Sequence, residues 1–169
     1  MRDERLRIVV NGTTWMGSGL GSIESALYQM FTRANDEVMI VAFAISTATP
    51  MLFQQLTTML QRGIRIRCLI NRFLDQPQNV QQQFQRLREN FPRLLEVYSF
   101  VPRNNEADLH AKIIIVDRSI ALVGSANLSM RGLMDNHELG VVIEGPGTLD
   151  VVKAVDQLFV STFVSPVFK

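Results

Sequence analysis

The chain has little of what would form a disulfide framework, a metal cluster or a membrane anchor. Among its 169 residues there is one cysteine, Cys68, which excludes an internal disulfide and a cysteine-rich metal site. Its apolar runs are short: EVMIVAFAI has nine residues, whereas a membrane-spanning helix needs roughly 18. We therefore expect no metal and no stable membrane insertion. The amino-terminal sequence MRDERLRIVVNG is too polar for a secretory signal peptide, which predicts a cytoplasmic protein.

The chain also lacks a strong net charge. Its formal charge is +1, so bulk electrostatics do not indicate a nucleic-acid-binding protein. The basic residues are unusual in kind, because fourteen of the seventeen are arginine. Arginine engages phosphates with two parallel hydrogen bonds and stacks on bases. A GC-rich genome or surface salt bridges explain the same bias equally well, so composition leaves the substrate open.

Alternating strand and helix patterns predict a mixed α/β fold in one domain spanning residues 1–169. We expect a central β-sheet of about six to eight strands with helices on both faces. Strands are predicted at 5–10, 37–46, 64–70, 94–100, in a hairpin that begins near 110, and at 138–145. Helices are predicted at 22–34, 49–62, 76–90 and 147–162, the first with Ser22 as its N-cap. The glycine-rich stretch before Ser22 favours a flexible rim loop over a nucleotide cradle, since no Lys-Ser/Thr follows it.

The most informative segment is HAKIIIVDRSIALVGSAN, which begins at His110. His110 and Lys112 lie on the same face of an extended segment, because side chains alternate along a strand. Two β-branched runs flank a polar turn, and a two-residue turn at 118–119 would place Asn127 opposite His110 and Ser125 opposite Lys112. An imidazole, an ammonium, a hydroxyl and a carboxamide would then converge at one end of a hairpin. We interpret this arrangement as a phosphate-handling site.

Phosphodiester chemistry accounts for these residue types. A phosphodiester is anionic, so a neutral imidazole suits it as a nucleophile and can form a phosphoramidate with phosphorus. Lys112 would neutralise the non-bridging oxygens, and Ser125 and Asn127 would donate hydrogen bonds to them. Asp117 has the opposite strand parity from His110, so we expect it to face away and to order either the turn or the residues that support the site.

The spacing HxK(x)4D(x)6GSxN resembles the signature of the phospholipase D superfamily, the HKD family. Downstream, Gly132, Asn136 and Glu138 resemble that family's G…NxE segment, and the resemblance covers roughly residues 109–144. It implies a phospholipase D-like fold and chemistry without a metal or other cofactor. The catalytic residues it implies are His110, Lys112, Asp117, Ser125, Asn127 and Glu138, with Gly124 as a weaker candidate for substrate binding.

The chain carries only one HxK pair, since its other histidine, His137, lies outside that context. The resemblance implies two histidines per site, one attacking phosphorus and one protonating the leaving oxygen. A twofold dimer supplies the second histidine, because the same residue lies on both sides of the axis. We therefore predict a homodimer with one composite active site, His110 of one copy being the nucleophile and His110 of the other the general acid. Glu138 is expected to hydrogen-bond the imidazole, and His137 to be structural.

Three functions remain open. The first is a nuclease acting on DNA or RNA, in bacterial restriction or antiphage defence, where compact relatives occur and a larger defence complex is a plausible partner. The second is a lipid phosphodiesterase or phosphatidyltransferase, which the short length disfavours and a small single-motif mitochondrial-type relative keeps open. The third is a binding module, which the intact set of site residues disfavours. The candidate nucleic-acid contacts are Arg72, Arg103 and Arg131, with Trp15 to stack on a base.

Overall fold

A nine-stranded mixed sheet forms the centre of the fold. The computed structural model describes residues 4–46, 50–103 and 107–168, and of Pro50 only the backbone. The strands are β1 (Arg5–Asn11), β2 (Gly21–Ser22), β3 (Glu37–Ala42), β4 (Arg65–Asn71), β5 (Leu95–Phe100), β6 (Ile113–Val116), β7 (Ile120–Gly124), β8 (Glu138–Glu144) and β9 (Val164–Pro166). The helices are α1 (Ile23–Arg33), α2 (Pro50–Gln61), α3 (Gln78–Asn90) and α4 (Thr148–Phe159).

The strand order is β2-β1-β8-β7-β6-β3-β4-β5-β9. Strands β3, β4 and β5 are parallel, whereas β6, β7 and β8 form an antiparallel meander whose last strand pairs with β1. The mixed α/β class is confirmed, but the described residues contain nine strands rather than six to eight. The two additional strands are edge strands of two and three residues, too short to show alternation in the sequence. One of them contains Pro166, which is tolerated at a sheet edge because no ladder donor is required there.

Helices cover the two sheet faces unequally. Helices α1, α2 and α3 pack on one face, where Leu27, Leu56 and Phe84 are buried in a single core. Helix α4 packs on the other face through Val152, Val155 and Phe159, as its hydrophobic spacing requires. Helices on both faces are therefore confirmed. Within the described ranges, no helix is both long enough and apolar enough to cross a bilayer.

Several element ends differ from the sequence-based expectation. The Ser22 N-cap is confirmed, because its Oγ accepts a hydrogen bond of 3.0 Å from the backbone N–H of Ser25. Strand β3 ends at Ala42 rather than at 46, and α4 is shorter than the predicted 147–162. Position 49, the predicted start of the second helix, lies outside the described residues.

One edge of the sheet collects the polar strand ends. Strands β3, β4 and β5 point their carboxyl ends to this edge, and the antiparallel register places the beginnings of β6 and β8 there too. Ligands commonly bind at the carboxyl ends of parallel strands, where loops rather than core packing set the local structure. His110 lies at this edge, three residues before β6 begins at Ile113.

Candidate active site

His110 and Lys112 form a close pair at this sheet edge. His110 is exposed and precedes β6, whereas Lys112 is half-buried. The Lys112 Nζ donates to the backbone carbonyl of His110 at 2.7 Å and lies 3.0 Å from Nδ1 and 3.3 Å from Nε2 of the His110 ring. Nearly equal distances to both nitrogens place the ammonium across the ring rather than along one lone pair. Burial lowers the pKa of Lys112, an effect that the carboxylate of Glu138 opposes.

The aromatic ring of Phe43 lies against both members of this pair. The Phe43 ring centroid lies 4.5 Å from that of His110, with the two planes inclined at 54°. The same ring lies 5.2 Å from the Lys112 Nζ, within the range of a cation–π contact. The sequence pattern counts Phe43 as part of a buried strand, but β3 ends one residue earlier. Its side chain is therefore at the strand exit, next to the catalytic candidates.

The predicted hairpin exists, but its predicted register is wrong by one residue. Strand β6 pairs with β7 through Val116↔Ile120, so three residues rather than two form the connection. Lys112 consequently lies opposite Gly124, whose N–H donates to the Lys112 carbonyl at 3.2 Å. Ser125 is not opposite Lys112, and Asn127 is not opposite His110.

Ser125 and Glu138 meet across β7 and β8. The Ser125 hydroxyl donates a short hydrogen bond to the Glu138 carboxylate, and Asn136 Nδ2 donates to its other oxygen at 3.2 Å. Within the described chain, Glu138 has Ser125 and Asn136 as hydrogen-bond partners, and its expected hydrogen bond to an imidazole at the composite site stays a prediction. The sequence signature thus brings together two neighbouring groups: His110 with Lys112, and Ser125 with Glu138.

Close backbone packing explains why two positions of the signature are glycine. A Cβ on Gly124 would lie 2.8 Å from the Leu139 carbonyl oxygen, so β7 and β8 approach too closely for any side chain there. A Cβ on Gly132 would lie 2.3 Å from the carbonyl oxygen of Asn127, which therefore rests directly on the glycine. Gly124 accordingly has a structural role, and its expected contact with substrate stays a prediction. The Asn127 carboxamide oxygen is buried and has no hydrogen-bond partner among the described residues, which leaves this atom available to a further group.

Asp117 lies at the opposite end of β6 from His110. Its carboxylate accepts hydrogen bonds from the backbone N–H groups of Asn35, Asp36 and Glu37 at 2.9, 2.9 and 3.0 Å. Burial raises the pKa of Asp117, but these hydrogen bonds outweigh it and the net pKa is lowered. The aspartate faces away from the site and orders the start of β3, which is the role that strand parity predicts. It is a structural residue of the signature.

The Asp117 interactions predict a pH-dependent stability. Because the folded pKa lies below the unfolded one, the carboxylate stabilises the fold above the unfolded pKa, and this is lost as the pH falls through the folded pKa. We expect Asp117→Asn to lower the free energy of unfolding near neutral pH by about 2 kcal/mol. In urea titrations, the free energy of unfolding of Asp117→Asn should also fall less on acidification than that of the wild type. Asp150→Asn is the control, since that side chain is 84% exposed. Equal stability of the Asp117→Asn variant and the wild type would contradict this role.

Residues from β4 hold the segment that carries His110. The Asn71 side chain is buried and its Oδ1 accepts from the Leu109 N–H at 3.1 Å. Arg72 Nε donates to Asp108 Oδ1 at 2.6 Å, and this guanidinium lowers the pKa of Asp108. Arg72 is thus paired with a carboxylate, and its expected contact with a nucleic-acid phosphate stays a prediction. Sequence reasoning missed the roles of Asn71 and Asp108, because each depends on a contact between segments that are more than thirty residues apart.

The other candidate nucleic-acid contacts lie in segments next to strand ends at the sheet edge that carries His110. Arg103 is exposed and donates to the Thr162 carbonyl at 3.5 Å. Arg131 is exposed at the start of a π-helical turn, Arg131–Asp135. Trp15 is half-buried and packs on the His137 ring, with centroids 5.7 Å apart. A contact between these three side chains and nucleic acid stays a prediction.

His137 has structural contacts only. Its Nε2 lies 2.7 Å from the hydroxyl and 3.3 Å from the backbone N of Thr14. Together with the Trp15 contact, this ties the loop after β1 to the start of β8. Across residues 4–46, 50–103 and 107–168, no group of three or more His, Cys, Asp or Glu side chains is arranged to hold a metal ion.

Comparison with curated proteins gives relatives of two kinds. DISARM protein DrmC of Bacillus paralicheniformis is 27% identical over 132 residues, which are 78% of this chain and 53% of that protein. Cardiolipin synthase A of Buchnera aphidicola subsp. Schizaphis graminum is 25% identical over 134 residues, which are 76% of this chain and 26% of the synthase. The chain therefore spans about half the length of the first relative and about a quarter of the second.

Solved structures share the fold at low identity. Nuc from Salmonella typhimurium, a phospholipase D family member, superimposes with a TM-score of 0.74 at 15% identity over 99% of this chain and 100% of that one. Phosphatidylserine synthase from Haemophilus influenzae gives 0.77 at 15% identity over 99% of this chain and 41% of the synthase. In sequence, residues 27–162 match the family described as "Cardiolipin synthase, PLD-like domain". Since that match covers most of the chain, this protein belongs to the phospholipase D superfamily.

Proposed function

We propose that this protein is a metal-independent phosphodiesterase that cleaves DNA or RNA through a covalent phosphohistidine at a homodimer interface. The observation that carries the proposal is the exposed His110 imidazole, with the Lys112 ammonium held against it at the ligand-binding edge of a phospholipase D fold. An exposed imidazole is accessible to a polymeric substrate, and the adjacent cation neutralises the phosphate oxygens. The catalytic unit in this proposal is the single domain of residues 1–169.

The chemistry proceeds in two displacements at phosphorus. A ring nitrogen of His110 attacks phosphorus, a P–N bond forms, and the bond from phosphorus to the leaving oxygen breaks. His110 of the second copy donates its proton to that oxygen. A water molecule then attacks phosphorus, gives its proton to the second imidazole, and the P–N bond breaks to regenerate His110. Lys112 stabilises the negative charge of both transition states, and no electron transfer or added co-reactant is required.

The surface of the sheet favours pairing with a second copy. On the face that α4 covers, β1 and β8 remain largely open, and Leu6, Ile8 and Leu139 are 65%, 40% and 45% exposed. Neighbouring exposed apolar side chains mark interaction surfaces more often than isolated ones do. Leu139 follows Glu138 directly, so this surface reaches the edge of the site. A second copy covering it would bring its own His110 towards the same edge.

The relatives favour nucleic acid but also support a second candidate. Similarity to DISARM protein DrmC over most of this chain supports a role in restriction or antiphage defence, with further defence proteins as partners. Similarity to cardiolipin synthases supports a phospholipid substrate. We favour the nuclease because the DrmC similarity covers a larger share of the relative's length, and because arginine predominates among the basic residues.

A substrate panel in chelator tests the proposal. We expect the wild-type protein in EDTA to cleave labelled single-stranded DNA, duplex DNA or RNA and to leave anionic phospholipid vesicles unchanged. A His110→Asn preparation purified in the same way is the control for contaminating nucleases. Consumption of phospholipid alone would establish the second candidate, and turnover only with added magnesium would contradict the mechanism.

A further inference from the structure

The side chain of Gln76 connects the exits of two parallel strands. Its Nε2 donates to the carbonyl oxygens of Phe43 at 3.0 Å and Asn71 at 2.8 Å. Its Oε1 accepts from the Ile45 N–H at 3.1 Å. Strands β3 and β4 have ended at Ala42 and Asn71, so the carboxamide continues the hydrogen bonding that the ladder no longer supplies. A carboxamide has two N–H donors and a carbonyl acceptor, and all three participate here.

Core packing does not explain the position of Phe43. The two cores formed by the described residues, under α1–α3 and under α4, do not include its ring. The ring instead contacts the His110 imidazole and the Lys112 ammonium at 4.5 and 5.2 Å from its centroid. Its backbone position is fixed through the Gln76 hydrogen bond. A half-buried amide network therefore determines the placement of a ring whose neighbours are the two proposed catalytic side chains.

We propose that Phe43 and Gln76 are positioning residues for the His110–Lys112 pair. The Phe43 ring restricts the imidazole on one side and attracts the ammonium to its face, so the two groups keep the relative orientation that attack on a phosphodiester requires. Gln76 holds the ring by fixing the backbone at Phe43. The ring also excludes water from one side of Lys112, in keeping with the effect of burial on that ammonium. The kinetic part of this inference rests on the proposed function.

Kinetics of Phe43 variants provide the first test. We expect Phe43→Leu, which keeps an apolar side chain but removes the ring, to lower kcat on the order of 100-fold with little change in KM. Phe43→Tyr should restore most of the lost activity, because it keeps the ring. Phe53→Leu is the matched control: Phe53 packs edge-on against Phe84 at 5.2 Å in the α1–α3 core, so it should lower Tm without lowering kcat. Unchanged kcat in Phe43→Leu would overturn the proposal.

Variants of Gln76 test whether its hydrogen bonds hold the Phe43 ring in place. Gln76→Glu keeps the shape of the side chain but cannot donate to the two carbonyls, so we expect kcat to fall in the same direction as in Phe43→Leu. Gln82→Glu makes the same chemical change at an exposed position of α3 and should leave kcat unchanged. Full activity of Gln76→Glu would remove Gln76 from the proposal.

NMR separates this inference from the proposed function, because it requires no turnover. The chain has two histidines, so a His137→Asn variant assigns the His110 ring resonances. We expect the Phe43 ring current to displace these resonances in the wild type. The displacement should disappear in Phe43→Leu and persist in Phe53→Leu. Its persistence in Phe43→Leu would refute the contact. If the displacement disappears in Phe43→Leu while His110→Asn keeps full activity, the contact is supported and the proposed function is refuted.

Discussion

Replacing His110 with asparagine is expected to abolish phosphodiester cleavage, with a loss on the order of 10⁴-fold or more in kcat. A carboxamide has no basic nitrogen with which to attack phosphorus or to hold a transferable proton. The fold should survive, because His110 is exposed and its ring contacts are Phe43 and Lys112. Initial rates in EDTA together with circular dichroism measure both parts of the expectation.

His137→Asn is the matched control for this substitution. His137 binds Thr14 and packs on Trp15, so its loss should reduce the thermal stability and preserve turnover. The pair of variants compares the only two imidazoles of the chain. Substantial turnover in His110→Asn, or an equal loss in both variants, would be incompatible with His110 as the nucleophile.

Mixed dimers are expected to be inactive when one subunit carries His110→Asn. In a composite site, each catalytic centre needs the imidazoles of both copies, so a mixed dimer has only one. When the subunits assort randomly at equal concentrations, roughly one quarter of the dimers are wild type on both sides, and activity should fall to that fraction. Independent sites would instead retain roughly half of the activity.

Differently tagged subunits make this comparison direct. Co-expression followed by two affinity steps isolates the mixed dimer, whose turnover should match that of the His110→Asn homodimer. A mixed dimer carrying His137→Asn on one subunit should remain active and controls for the tags. A wild-type protein that sediments as a monomer at the assay concentration while active would exclude the shared site.

The signature was readable from the sequence because it depends on local spacing. Two residues along an extended segment bring side chains to one face, so His110 and Lys112 were paired correctly. The register was wrong because Asp117 and Arg118 both adopt left-handed backbone conformations, with φ of 49° and 52°. Such conformations are unfavourable for residues other than glycine. Here they accompany two sets of tertiary contacts, which a local pattern does not contain. Asp117 accepts a hydrogen bond from the Glu37 N–H at the start of β3, and Arg118 forms ion pairs with Glu37 and Asp156.

The surroundings of the site were harder to predict for the same reason. Arg72 is paired with Asp108, which lies 36 residues further along the chain, so a local sequence pattern does not predict this contact. Gln76 and Phe43 are 33 residues apart and meet only because β3 and β4 are neighbours in the sheet. Strand positions could be inferred from the hydrophobic pattern, but contacts between strand exits depend on the strand order.

The π-helical turn before β8 carries one residue more than an ordinary helical turn. Its closing hydrogen bond runs from the Asn136 N–H to the Arg131 carbonyl, five residues back, at 2.7 Å. Removing the exposed Met134 would leave room for an ordinary α-helical turn. Because the shorter turn takes up the lost residue, strand β8 would keep its register. The interior of the turn has less freedom, since Gly132 is buried and a Cβ there would overlap the Asn127 backbone. Evolution can thus shorten this turn by an exposed residue more readily than it can replace the glycine inside it.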